Sequence, residues 1–172
     1  MAGMYYWASA FDVDLNAWDA ATLTQIEGMF YDTPSFDAGG GGLNGWDVAS
    51  VNDMGDVFFR ATRFNGDCGN WDTSSVRDTS SMFNSAEAMN ADISAWNVAA
   101  VTNMIQMFEG AILFNADLSD WDVSLVELRE SFGVVRLPFP CPRCARLPVC
   151  SPVYLLRRIV ALLLTTIQTF RE

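Results

Sequence analysis

Tryptophan recurs at positions 18, 46, 71, 96 and 121, at spacings of 28, 25, 25 and 25 residues. A fixed period of this size is the mark of a tandem-repeat architecture, in which each unit buries its apolar face only against its neighbours. The columns around tryptophan sharpen the pattern. Three residues before it stand Leu15, Leu43, Cys68, Ile93 and Leu118, and five after it stand Leu23, Val51, Val76, Val101 and Val126. Twelve after it stand Phe30, Phe58, Phe83 and Phe108.

From five to eighteen residues past tryptophan the apolar positions step by 3, 3, 1, 3 and 3. At roughly 100° per residue they share an arc of about 140°, which predicts a short helix or helical turn. Ser50, Ser75 and Ser124 stand near its expected start, where a hydroxyl can cap. Around tryptophan itself, apolar residues alternate with Asp or Asn, which reads as a short strand. One parallel strand and one helical turn per repeat predict an α/β solenoid, with Trp18, Trp46, Trp71, Trp96, Trp121, Phe30, Phe58, Phe83 and Phe108 as its repeating core. Trp7 lies outside the ladder and is expected at the surface.

The pattern predicts five tandem repeats over 1–131. A Pro/Cys-rich linker over 132–152, expected to be disordered, follows, and then an apolar, Arg-containing segment over 153–172 that can form a helix. Residues 1–128 hold 19 acids and three Arg, a balance of −16; residues 129–172 hold two acids and seven Arg, a balance of +5. The acidic body repels phosphate backbones, so nucleic acid is not an expected partner. The chain has no His, which removes Ser–His and Cys–His nucleophiles. No secretory signal is read at Met1–Tyr6. The apolar run 153–170 is interrupted by Arg157 and Arg158 and is shorter than the ~20 residues of a spanning helix. It could still lie on a membrane surface. Cys141, Cys144 and Cys150 supply three thiols, short of the four ligands of a structural zinc site.

Residues Met107–Ser124, together with Val98–Met104, resemble the roughly 25-residue repeat of the BspA-like leucine-rich-repeat surface proteins, known from bacterial surface lipoproteins. The resemblance covers about residues 4–127. It implies a leucine-rich-repeat-like fold displayed outside cells for contact with other macromolecules, and it carries no catalytic residue to transfer. The tail after Leu128 does not share it.

Asn65 and Asp67, Asn90 and Asp92, and Asn115 and Asp117 recur at one place before tryptophan. Stacked oxygens of this kind can ligate calcium; Asn and Asp also bond the backbone of their own turn. The expected function is a non-enzymatic module for protein or glycan contact, with no cofactor. The alternatives are a structural piece of a longer repeat protein, suggested by a start within a repeat and the change of composition after Leu128, and carboxylate-assisted glycan hydrolysis. Carboxylates that recur in every unit argue against the last, because catalytic groups are normally unique.

Overall fold

The computed structural model describes residues 2–126. The readings for 132–152 and 153–172, and for Cys141, Cys144 and Cys150, lie outside the described residues.

The α/β solenoid expected from the periodicity is not formed. Among the described residues there is no α-helix and no strand. Regular structure amounts to one 3-10 helix, Ala38–Gly40, and isolated parallel bridges linking Gln25 to Asp53, Asp53 to Asp78 and Asp78 to Asn103. Each repeat is instead a chain of tight turns, and each makes one rung that lies against the next.

The reason is visible in the backbone amides, with positions counted from each tryptophan. The amides at +10, +12 and +14 donate to carbonyls of the following rung. Gly28 donates to Gly55 at 2.9 Å, Phe30 to Val57 at 2.9 Å and Asp32 to Phe59 at 2.7 Å. Asp56, Phe58 and Arg60 repeat this towards Ser80, Met82 and Asn84, as do Ser81, Phe83 and Ser85 towards Ile105, Met107 and Glu109. The amides between them turn back on their own rung: Tyr31 donates to Gly28, Phe59 to Asp56 and Asn84 to Ser81. A strand would send its amides outward to neighbours, and an α-helix would keep them all at home. This backbone alternates.

Left-handed residues set the alternation. Positive φ falls at +10 on Gly28, Asp56, Ser81 and Gln106, and at +14 on Asp32, Arg60, Ser85 and Gly110. Gly28, Arg60, Ser81, Ser85, Gln106 and Gly110 are each the third residue of a turn closed three residues on, the place where a type II turn needs φ above zero. An α-helix cannot pass through two such residues per repeat. The 3-3-1-3-3 spacing therefore arises from successive turns, each closing over three residues. Near tryptophan the apparent period of two has a similar origin. Asp47 lies between buried Trp46 and Val48, and its carboxylate accepts the Ala49 amide at 3.1 Å, a local turn rather than a strand.

Between the rungs lies a core of stacked rings. Phe30, Phe58, Phe83 and Phe108 follow one another at centroid separations of 5.6, 5.5 and 5.7 Å. The tryptophans from Trp18 to Trp121 stack at 6.4, 6.4, 5.9 and 6.4 Å. Trp46, Trp71 and Trp96 are buried, whereas Trp18, Trp121 and Phe108 are partly buried at the two ends. Each later indole also crosses rungs. Trp46 Nε1 donates to the Leu15 carbonyl at 2.7 Å, Trp71 to Leu43 at 2.8 Å, Trp96 to Cys68 at 3.0 Å and Trp121 to Ile93 at 3.3 Å. The acceptor is always the apolar residue three before the preceding tryptophan, so one side chain fixes both spacing and register.

The longer second repeat is accommodated at the glycine run. Gly42 has φ of +75°, and a Cβ there would run into the Asp67 backbone, whose carbonyl accepts the Leu43 amide at 2.6 Å. That close approach of two rungs requires glycine.

Two stability predictions follow from this packing. Trp96→Ala removes an indole stacked on both sides and should cost ~3–5 kcal/mol in urea unfolding, the range for an aromatic-to-alanine change in a core. A cost under about 1 kcal/mol would contradict the packing described. Gln106→Gly relieves a left-handed side chain and should raise the unfolding midpoint, since such strain costs ~1–3 kcal/mol against the ~0.5–1 kcal/mol that glycine flexibility takes back.

Candidate interaction surface

Asparagine and aspartate recur throughout the rungs, and their oxygens are engaged in two ways. In the first, a side chain bonds the amide two residues on. Asp67 accepts Gly69, Asp92 accepts Ser94 and Asp117 accepts Ser119, each at 3.0 Å. Asp19, Asp72, Asn97 and Asp122 do the same after tryptophan. In the second, the oxygen reaches the next rung. Asp37 accepts the Asn65 amide at 2.8 Å, Asn65 accepts Asn90 at 2.7 Å and Asn90 accepts Asn115 at 2.8 Å. Of the positions considered for calcium, Asn65, Asp67, Asn90, Asp92 and Asp117 thus each direct an oxygen at a backbone amide, and Asn115 closes the ladder through its own amide. Among the described residues no three His, Cys, Asp or Glu side chains converge as a metal site would require.

These bonds shift the carboxylates. Hydrogen bonds from Ser94, through its side chain and then its amide, hold Asp92 below the usual carboxylate range. Amides of Gly39 and then Asp37 do the same for Asp12. Both groups favour the folded state above the unfolded carboxylate range and lose that contribution as pH falls through their lowered folded values.

A different column of acids and amides, missed at the level of sequence, occupies the bridge positions seven after tryptophan. Asp53 accepts the Gly55 amide at 3.0 Å, and Asp78 accepts the Ser80 amide at 2.8 Å and its hydroxyl at 2.6 Å. Asn103 donates through Nδ2 to Asp78 Oδ2 at 2.7 Å. Asp56 lies among these groups, and its carboxyl is pushed up by desolvation first and then by Glu27, Asp78 and Asp53. The signal was available: Gln25, Asp53, Asp78 and Asn103 form a column one place before the apolar +8 residues.

Beside the acids runs an aromatic stripe thirteen after tryptophan, which the sequence reading also left out. Tyr6 stacks on Tyr31 at 4.3 Å, and Tyr31 stacks on Phe59 at 4.4 Å. Arg60 covers the Phe59 ring at 5.4 Å. Tyr6 is exposed, whereas Tyr31 and Phe59 are half-buried. Burial first, then the Tyr6 hydrogen bond and the charges of Tyr6 and Asp56, raise the Tyr31 phenol. Trp7, at the end of the stripe, is 68% exposed. The rings stack face to face along the rungs, and Asp56 lies near enough to Tyr31 to act on its phenol.

Cys68 is buried in the column otherwise filled by Leu and Ile, and desolvation, then Asp67, pushes its thiol far above the ordinary cysteine range. Among the described residues no helix is long and apolar enough to cross a membrane.

The family model described as "Mycoplasma protein of unknown function, DUF285" matches residues 1–42 and 38–133. No curated protein and no solved structure matches the chain.

The acid geometry yields two predictions. Asp56→Asn removes a charge placed against three others and keeps a residue type that tolerates positive φ. A folded-state carboxyl raised above its unfolded value weakens the fold once both states are ionised, and that penalty fades as pH falls towards the unfolded value. The variant should therefore unfold at a higher temperature than the parent at pH 7, with the difference shrinking towards pH 3. For the Asn65–Asp117 positions, thermal unfolding should give the same midpoint in calcium and in chelator, because one oxygen of each of Asn65, Asp67, Asn90, Asp92 and Asp117 is engaged by a backbone amide and no metal cluster forms among the described residues.

Proposed function

The chain belongs to the DUF285 family of Mycoplasma proteins, and for it we propose a non-enzymatic repeat module that contacts other proteins at a cell surface. The carrying observation is the surface formed by Glu27, Asp53, Asp56 and Asp78 beside Tyr6, Tyr31 and Phe59. Clustered acids attract basic partners and speed their approach. Tyrosine and phenylalanine add apolar area of the kind enriched at interfaces. The partner that suits this pair is a protein with exposed Lys and Arg rather than a nucleic acid or an anionic glycan. The likeness of Met107–Ser124 to the BspA-like surface repeat supports the same location and role.

Hydrolysis is the weaker reading. The candidate carboxylates recur in every rung and hold turns, and a paired acid and base would have to differ from their neighbours in environment. A passive piece of a longer repeat array is the other alternative, and the unequal rungs speak against it: the aromatic stripe occupies only the first rungs, with Asn84 and Glu109 in its later positions.

Biolayer interferometry of the full chain against basic, neutral and acidic host extracellular proteins and neutral glycans tests the proposal. Binding should be confined to basic proteins, weaken as salt rises, and fall at least about tenfold when Asp53, Asp56 and Asp78 are changed together to Asn. Absence of binding, or binding indifferent to the triple change, would leave the passive array as the better account. Glycan turnover lost on changing one carboxylate alone would favour hydrolysis.

A further inference from the structure

Two phenols meet across successive rungs. The rings of Tyr6 and Tyr31 are parallel within 5°, with centroids 4.3 Å apart, and the Tyr6 side chain hydrogen-bonds the Tyr31 phenol. Parallel rings whose phenols meet are stacked with the same ends together. The ortho carbons that flank each oxygen therefore lie over one another. Backbone bonds hold this arrangement: Gly3, Tyr5 and Trp7 donate to Glu27, Met29 and Tyr31 at 2.8, 2.9 and 2.9 Å. A Cβ at Gly28 would stand 3.6 Å from Tyr6 Cε2, an ortho carbon, so that edge of the ring overlies the next rung.

The other described tyrosine has no such partner. Tyr5 stacks on Phe11 and Phe30 at 4.0 and 5.7 Å and tilts against Trp18 at 5.9 Å. On the far side of Tyr31 the neighbour is Phe59 at 4.4 Å, a ring without a phenol. Tyr154 lies outside the described residues. Among the described residues the one cysteine, Cys68, is buried, so no disulfide joins these rungs.

Adjacent phenols couple under one-electron oxidation. Each ring gives up one electron and its phenolic proton, and the resulting radical carries spin on its ortho carbons. Two ortho carbons join in a new C–C bond. Each then releases its hydrogen as a proton, and each oxygen regains one. In sum two hydrogens leave the rings and one hydrogen peroxide becomes two waters. The bond forms between the facing sides of the rings, so it does not depend on what lies against their outer sides. Tyr31 is partly exposed, which lets an oxidant meet the edge of the stack.

We infer that Tyr6 and Tyr31 are an oxidative cross-linking site, at which a peroxidase-type one-electron oxidant with hydrogen peroxide joins two successive rungs of one chain through a dityrosine bond. The link closes a loop and restricts the unfolded chain as a disulfide would. It is a staple between rungs, separate from the proposed contact with a basic protein.

Treatment of the full chain with a haem peroxidase and hydrogen peroxide, at low micromolar protein, tests this by intact mass, dityrosine fluorescence and peptide mapping. Cleavage at acidic residues separates the two tyrosines, since Asp12, Asp14, Asp19 and Glu27 lie between them. The expected product is a monomer lighter by two hydrogens, with the peptides of Tyr6 and Tyr31 joined and a higher unfolding temperature than the untreated chain. Tyr6→Phe and Tyr31→Phe each keep the stacked ring and should lose the product, whereas Tyr5→Phe should retain it. In urea the Tyr6–Tyr31 pair should lose its preference. Oxidation without a tyrosine link, links only between chains, a product that survives either phenylalanine variant or is equally favoured in urea, or a linked monomer with an unchanged midpoint would each overturn the inference.

Discussion

Everything in this fold depends on how the backbone amides are shared between rungs. Had the segment after tryptophan become an α-helix, its amides would have been satisfied internally, and only side chains would have joined one repeat to the next. Had it become a strand, the turns that bring Phe30 and Phe36 within 4.0 Å of each other would have been lost. Alternation does both jobs. One amide ties the rung to its neighbour and the next bends the chain, so a repeat of about 25 residues closes round a core while staying bonded to the repeat beside it. Left-handed residues at +10 and +14 are the cost, and they recur in every rung from Gly28 to Gly110.

Side chains then lock what the backbone permits. Backbone bonds alone would tolerate a slip between rungs, since their alternation has a period of two residues. The indoles do not tolerate it. Trp71 must stack on Trp46 and at the same time reach the Leu43 carbonyl. Any shift of register breaks the hydrogen bond or the stack. The Asn and Asp columns act on the outside in a similar way: Asn65 holds Asn90, and Asn90 holds Asn115. Register is thus fixed independently at the core and at the turns.

Much of this was legible in the sequence, but only as columns. The tryptophan and phenylalanine ladders and the turn-forming Asn and Asp positions could be lined up without coordinates. The conformation of the +5 to +15 segment was not legible, because steps of three fit a helix and a series of three-residue turn closures equally well. The distinguishing signal lay at +10 and +14. Gly28, Asp32, Asp56, Ser81, Ser85 and Gly110 are poor helix-interior residues and natural occupants of turns, but Arg60 and Gln106 in the same columns hide the rule. The acid and aromatic stripes at +7 and +13 were missed for a related reason. A helix would have scattered them over its outer surface, whereas the turns place each column in line, one residue per rung.

The local turns also explain why the charges of the acidic columns are tolerated. Carboxylates that recur once per repeat come to lie in columns, where like charges repel. Those at −4 and +1 offset that repulsion by accepting local amides, which lowers the values of Asp92 and Asp122 even at full exposure to water. Where the column is flanked by additional acids instead, at Asp56, no amide compensates and the value rises. The same backbone repeat therefore produces quiet carboxylates that serve the turn and one crowded group that does not. The crowded group is the one next to the aromatic stripe, where an approaching cation would relieve it.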